Sequence, residues 1–303
     1  MTTYTIAVLV TCHNRKEKTV VALQTMFESL DCLNLKQEND VKAIVFLTDD
    51  GCTDGTSDAV QSRFPTRSIK IIQGDGHLFW AGGMRLAWKA ALKENVKWDF
   101  FLLMNDDTCF CKNAFEELLT THHYAVSQYG RAGIYAGIIS SFDGKEITYG
   151  GKVYSRGLFG KSVSIKPNGR PQACQMTNAN ILLVSSNVAD ELGILDGHYR
   201  HSCADWAYGI EASRKGFPVF VTGSVCGYCD NDHDTEEMEK QKFKQMAINE
   251  RRSYFQSPLH STKDILYFMR KYNKWKYPFV ILARTLNIYL PSLYYALNSK
   301  RAK

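Results

Sequence analysis

Short unbroken apolar runs alternate, early in this chain, with stretches whose apolar residues recur every three or four positions. Ile6 to Val10, Ala43 to Leu47, Ile69 to Ile72 and Phe100 to Met104 are runs of the first kind, the pattern of strands buried on both faces. Val20, Leu23, Phe27 and Leu30 share one face of a predicted helix. Met84, Ala87, Trp88, Ala91 and Leu92 form a second such stripe. Strand, helix, strand in this order predicts right-handed crossovers and a mainly parallel sheet flanked by helices, an α/β fold. Ligands of such sheets bind beyond the carboxyl ends of the strands, so polar residues just after strands carry the functional interest.

After Gly133 the rhythm changes. Glu146 to Gly160 is rich in Gly and Tyr and predicts short strands and turns. Ile181 to Val184 reads as a strand, and Ser186 to Leu192 as a short helix with Gly193 at its C-cap. Ala204 to Lys215 reads as a helix ending at Gly216, followed by a strand over Phe217 to Val221. Thr235 to Tyr254 is charged and helical in character, and Trp275 to Leu297 interleaves aromatic and aliphatic residues with Lys276 and Arg284. Pro278 and Pro291 limit helix length there. Three destinations stay open for this tail: packing on the preceding domain, a homodimer contact, or peripheral contact with a membrane. With no internal repeat and no Ser/Gly/Pro linker, we divide the chain into one domain over 1–234 and a helical C-terminal extension over 235–303. The domain itself divides into halves at about residue 110.

Composition narrows the class. At 303 residues, 45% hydrophobic and 22% charged, the chain can bury a real core. A net charge of +6 and a pI of about 8.7 fall short of a nucleic-acid-binding footprint. They suit an enzyme handling pyrophosphate donors near an anionic surface, and the last fifty residues hold a disproportionate share of the Lys and Arg. Nine cysteines cannot all pair within one chain. Met1 leads directly into a strand pattern without a signal-type run, so the expectation is reduced thiols in a cytosolic protein, free or peripheral at the inner face of a membrane. No apolar stretch reaches the roughly 18–20 residues that span a bilayer.

Three strand-end segments carry the chemistry. Asn105-Asp106-Asp107-Thr108 places two adjacent carboxylates where they repel unless a cation or donor lies nearby. Mg²⁺ or Mn²⁺ takes such oxygens together with substrate phosphate oxygens, whereas a plain turn uses the same residue types. Thr48-Asp49-Asp50-Gly51-Cys52-Thr53-Asp54-Gly55-Thr56 offers carboxylates to a base N–H, or a tight turn and helix cap. Thr11-Cys12-His13-Asn14-Arg15 precedes a helix, whose N-terminus favours anions and where Arg15 would meet a diphosphate. His13 is read as structural more readily than as catalytic.

Taken as a set, "TCHNR", "DDGCTDGT", "GDGHLFWAGGMRLAW" and "LLMNDDT" resemble the nucleotide-sugar-binding half of glycosyltransferase family 2, close to its rhamnosyltransferase-like branch. The resemblance covers roughly residues 4 to 230. It implies a GT-A-like fold and a metal-dependent, inverting transfer from a UDP-, dTDP- or GDP-sugar to a hydroxyl of a glycan or lipid-linked saccharide, as in bacterial surface polysaccharide synthesis. It implies that Thr11 and Arg15 line the nucleotide pocket, that Asp49 or Asp50 meets the base, and that Trp80, Gly82 and Gly83 let backbone approach the donor. Asp106 and Asp107 fall on the middle and last positions of the family's D-x-D metal motif, with Asn105 where the first acid usually stands.

In the second half, Ala204-Asp205-Trp206-Ala207-Tyr208-Gly209 aligns Asp205 with the acid that similar enzymes use as general base. A helix cap is the structural alternative. Ala207 replaces a second acid and Glu211 an Arg. Asn178 and Asn180 are placed to hydrogen-bond sugar hydroxyls or to form a turn. The family's His after the next strand is missing near Gly227-Tyr228; His233 is its expected substitute as a metal ligand. Cys226, Cys229 and His233 also admit a zinc reading, without a fourth ligand. A non-catalytic nucleotide-sugar-binding subunit is the alternative function.

Overall fold

The computed structural model describes residues 2–36, 39–154, 162–231, 236–260 and 262–299. Its first half follows the predicted alternation. Strand β1 (Thr2–Cys12) leads through helix α1 (Lys16–Leu35) to β2 (Asn39–Asp49), and α2 (Thr56–Arg63) leads to β3 (Ile69–Gln73). Helix α3 (Phe79–Leu92) then returns the chain to β4 (Phe100–Met104), on the other side of β1. These four strands are parallel, with Cys12 opposite Asp49 and Asp49 opposite Gln73. Their carboxyl ends therefore lie side by side, and the three polar segments emerge from one edge.

A short β5 (Cys109–Phe110) and α4 (Ala114–Tyr129) follow, then β6 (Ile134–Ser140), β7 (Ile147–Tyr149) and β8 (Gly151–Tyr154). Next come β9 (Ser162–Ser164), β10 (Gln172–Ala173), β11 (Met176–Thr177) and β12 (Ile181–Ser185). Helices α5 (Ser186–Leu192) and α6 (Ala204–Arg214) precede β13 (Val219–Tyr228). Among the described residues the main sheet has ten strands in the order β10-β13-β6-β12-β4-β1-β2-β3, with β5 and β7 attached to β13 and β6. Strand β12 enters antiparallel between β4 and β6, which places the end of β4 beside the turn before β12. A small second sheet, β11-β8-β9, flanks it.

The sheet buries both faces. Ile6, Val8 and Val10 point into one apolar layer with Leu23, Phe27 and Leu118, while Ala7 and Leu9 point into the other with Trp88, Phe101 and Phe268. The extension forms α7 (Glu236–Gln245), α8 (Ile248–Gln256), α9 (Thr262–Tyr272), α10 (Tyr277–Tyr289) and α11 (Pro291–Ser299). Phe268 of α9 joins the main core, whereas Phe243, Phe255 and Tyr295 make a separate small cluster. Pro278 sits in the first turn of α10 and Pro291 opens α11, where a missing N–H costs nothing.

Helices α4 and α9 and strand β6 are among the elements that go beyond the sequence expectations. Helix α4 was not predicted because Thr120 to His123 interrupts its stripe, although Thr121 is buried. In β6, Gly137 weakens the strand signal; a Cβ there would lie 2.9 Å from Cys226 Cβ, so only glycine packs. Helix α9 spans only 11 residues between loops. Strand β13 also differs from the expected Phe217 to Val221. It starts after Pro218, which lacks an N–H, and continues to Tyr228 through register shifts that break its apolar run.

Candidate active site

The carboxyl ends of β1, β2 and β4 form one wall of a cavity of about 800 Å³. Gly51 permits the first tight turn: its φ is 73°, and a Cβ there would lie 2.9 Å from Gly76 Cα. The Asp50 carboxylate accepts the backbone N–H groups of Gly76 (2.9 Å), Leu78 (3.0 Å) and Phe79 (3.1 Å), folding the loop before α3 over the strand ends. Asp49 turns the other way. It accepts from Cys52 N–H at 2.7 Å and from the Ser57 hydroxyl, and although burial opposes it, these bonds hold its carboxyl below the ordinary range. The N-terminus of α1 is likewise engaged, with Lys16 N–H donating to Asp54 at 2.9 Å.

Arg15 crosses the wall. Its Nη1 lies 3.0 Å from Asp106 Oδ1 and 2.9 Å from Asp107 Oδ2, so two carboxylates converge on one positive atom. Asp106 is buried, and that burial pushes its carboxyl up to about 6 against the pull of Arg15. Asn105 accepts from Trp80 Nε1 at 2.8 Å, and Asp107 Oδ1 accepts a weak bond from Cys229 Sγ at 3.6 Å. His13 Nδ1–H donates to the Asp50 carbonyl at 2.6 Å, a structural use of the ring.

The facing wall is built from the turn before β12 and the start of α6. Asn178, Ala179 and Asn180 line the cavity, as do Cys203, Asp205 and Trp206. Asp205 accepts from Ala179 N–H at 3.1 Å and from its neighbour Trp206 N–H at 2.9 Å. Burial raises its carboxyl to about 6, opposed by these two bonds and by Lys152. Lys152 sits 4.8 Å over the Trp206 ring, and burial lowers its ammonium against the pull of Asp205. The preceding loop is held from the extension: Asp264 Oδ2 accepts the consecutive N–H groups of Arg200 (3.1 Å), His201 (2.9 Å) and Ser202 (3.0 Å). Ala81 N–H donates to Arg200 O at 3.1 Å and ties the two walls together.

Strain collects at this cleft. Among the described residues the non-glycine positions at positive φ are Asn14 (50°), Phe79 (55°) and Cys203 (66°). Phe79 and Cys203 line the cavity, and Asn14 lies between His13 and Arg15, which also line it.

The cleft thus gathers Thr11, Arg15, Asp50, Trp80, Asp106, Asp107, Asn178 and Asp205. Three expected residues lie behind it. Asp49 is spent on Cys52 and Ser57, while Gly82 and Gly83 are buried in α3. Gly83 lets α3 approach β1, because a Cβ there would sit 2.0 Å from Thr11 Oγ1. His233 lies outside the described residues. The sulfurs of the zinc reading diverge, Cys226 toward Thr222 at 3.3 Å and Cys229 toward Asp107. Among the described residues no three His, Cys, Asp or Glu side chains converge as a metal site. A divalent cation nevertheless fits the Asp106–Asp107 pair, as two hard oxygen ligands that already converge on a cationic nitrogen, with further oxygens to come from a ligand. Asp264, Lys152, Leu259 and Ile265 were not singled out in the sequence. A lone Asp at a helix start carries no local signal that it reaches a loop more than sixty residues earlier.

No protein-family model matches the sequence, and no curated protein matches it. Solved structures do. The chain is similar to S. aureus TarS 1-349, with a TM-score of 0.51 and 12% identity over 80% of this chain and 65% of TarS. It thus spans about two thirds of the TarS chain, which has also been solved with UDP-GlcNAc. It is likewise similar to the mannosyltransferase PcManGT from Pyrobaculum calidifontis in complex with GDP-Man and Mn²⁺, with a TM-score of 0.52 and 12% identity over 98% of this chain and 79% of that one. The architecture is the GT-A-like fold: a mainly parallel sheet flanked by helices, with a helical C-terminal part.

Proposed function

We propose that this chain is a glycosyltransferase that moves a sugar, with inversion, from a nucleoside-diphosphate sugar to an acceptor hydroxyl. One observation carries the reading: in a GT-A-like fold, a single cleft lined by the Arg15–Asp106–Asp107 cluster also holds the buried carboxylate of Asp205 on its facing wall. The motifs "TCHNR", "DDGCTDGT" and "LLMNDDT" supply the family 2 and rhamnosyltransferase-like part of the proposal, and the solved neighbours that carry UDP-GlcNAc or GDP-Man support the donor class. The acceptor in this reading is a glycan or lipid-linked saccharide, as in surface polysaccharide synthesis.

The Asp50-clamped loop and Trp80 shape the nucleotide side of the cleft. Arg15 meets the diphosphate, exchanging carboxylate partners for phosphate oxygens in the bidentate manner open to a guanidinium. Asp106 and Asp107 hold Mn²⁺ or Mg²⁺, which supplies positive charge to the departing diphosphate when bound. Asp205 accepts the acceptor-hydroxyl proton on the opposite side. Its raised affinity for that proton suits it to the task, since a base poised near the working pH transfers protons effectively. Asn178, on the same wall, hydrogen-bonds the transferred sugar.

The test is nucleoside diphosphate release from a panel of UDP-, dTDP- and GDP-sugars with Mn²⁺ or Mg²⁺, in the presence of saccharide acceptors. The expected result is metal-dependent release that Asp107→Ala and Asp205→Asn both suppress. Tight nucleotide-sugar binding without any release would instead establish a non-catalytic binding subunit.

A further inference from the structure

Helices α10 and α11 divide their apolar groups between two sides. Inward they carry Tyr295, which packs with Phe243 and Phe255, together with buried Asn287 and Arg284, whose guanidinium lies 4.6 Å over the Phe255 ring. Outward they carry large apolar groups. Trp275, just before α10, is 78% exposed, and Phe279 and Leu282 on α10 are 57% and 55% exposed. Tyr289 lies seven residues after Leu282 and so on the same helix face. Leu293 and Leu297, one turn apart on α11, are 46% and 51% exposed. An apolar face of this size, left to solvent on consecutive helices, marks an interaction surface.

Charge decides what it meets. Residues 265–303 hold eight of the 37 basic residues and none of the 31 acidic ones, so this segment carries +8 and the rest of the chain a net −2. Lys274 and Lys276 bracket Trp275, and Arg252 of α8 stacks 5.3 Å over Tyr289. A second copy of this face would set like charge against like charge, whereas an anionic lipid headgroup layer complements it. Among the described residues no helix is long and apolar enough to cross a membrane.

We propose that α10, α11 and the Trp275 turn form a docking surface for an anionic bilayer. Trp275, Phe279 and Leu282 enter the headgroup–acyl boundary while the basic side chains bind the headgroups. The same extension reaches the cleft: Ile265 lines it, and α9 runs from there to Tyr272, roughly 10 Å of helix, just ahead of the Trp275 turn. Docking therefore brings the cleft close to acceptors held in the membrane. The surface itself stands independently of the proposed transfer chemistry.

The test is sedimentation of the full chain with vesicles of neutral phosphatidylcholine, alone or with roughly one-third anionic phosphatidylglycerol, without donor. We expect at least about tenfold stronger partition onto the anionic vesicles, weakening as salt is raised toward about 0.5 M. Phe279→Glu with Leu282→Glu should remove binding at low salt while nucleoside diphosphate release from soluble acceptor assays is unchanged. Lys274→Glu with Lys276→Glu, which leaves the apolar face intact, should weaken anionic binding about tenfold or more. Equal partition onto both vesicles, no partition onto either, or insensitivity to both variants overturns the proposal. So does a dimer by light scattering that Phe279→Glu with Leu282→Glu converts to monomers.

Discussion

The two walls of the cleft are held by the same device working over different spans of chain. Asp50 gathers three backbone N–H groups 26 to 29 residues downstream, inside the strand-and-helix unit that it terminates. Asp264 gathers three N–H groups 62 to 64 residues upstream, from a helix of the C-terminal extension. One clamp is part of the sheet's own wiring. The other makes the extension a working part of the site, because the loop that it fixes delivers Asp205. A carboxylate accepting three amide hydrogens ties neighbouring backbone donors to one charged point, which favours a single shape for either loop.

The largest effect expected from this comparison lies at the residue that the second clamp delivers. Asp205→Asn keeps size and one acceptor oxygen but cannot take a proton, so turnover should fall by roughly 10²–10⁴-fold. Donor affinity, set by the opposite wall, should stay unchanged in a binding titration. Turnover within a few-fold of wild type would remove Asp205 as the base.

The clamps themselves come next. Asp50→Asn and Asp264→Asn each replace a charged acceptor with a neutral one, a loss of about 1.5–3 kcal/mol where three amides depend on it. The split between kinetic constants distinguishes them. Asp50→Asn should raise the donor KM, while Asp264→Asn should lower kcat with the donor KM little changed. If both variants move the same constant, the two walls do not divide donor and acceptor between them.

Asp50 was legible as a strand-end carboxylate because it closes a buried run in the company of glycines, but its use as a clamp on the loop before α3 was not. The parallel strands, the helices between them, and Arg15, Asp106, Asp107 and Asp205 were legible for the same reason: strand ends and helix starts leave local marks. Asp264 leaves none, since its partners come together only through the packing of α9 on the main core. The resemblance assigns Gly83 to the donor, whereas the structure sets it against Thr11 of β1; a glycine that admits a ligand and one that admits a neighbouring strand look alike in sequence. The same holds for Asp49 and Asp50, adjacent carboxylates that turn to opposite sides of one loop.

A smaller, continuous effect tests the acid–base assignment of the second wall. With its carboxyl raised to about 6, Asp205 as the proposed base would be ionised and active above that pH and protonated and inactive below it. The proton must be absent for the group to accept one, so kcat/KM should be level above about pH 7. It should fall about tenfold per unit as pH drops below 6, which a rate profile in overlapping buffers would reveal. A profile flat down to pH 5 would place the controlling base elsewhere.

The smallest effect probes the back of the first wall, where packing and function meet at Thr11. A methyl group at position 83 would lie 2.0 Å from Thr11 Oγ1, and the same glycine's carbonyl accepts from Thr48 Oγ1 at 2.9 Å, so α3 has no room to retreat without breaking that bond. Gly83→Ala should therefore destabilise by about 1–3 kcal/mol, the range for overpacking a close-packed site. That corresponds to roughly 2–4 °C of melting temperature per kcal/mol in a chain of this size. Thr11→Ala removes the obstructing hydroxyl but keeps the Thr11 Cβ, 2.7 Å from a methyl at position 83, so the double variant should recover only part of the loss, a coupling that a thermal-denaturation cycle measures directly. Additive losses would mean that α3 and β1 are not in contact through this pair, and that Gly83 serves the cleft in some other way.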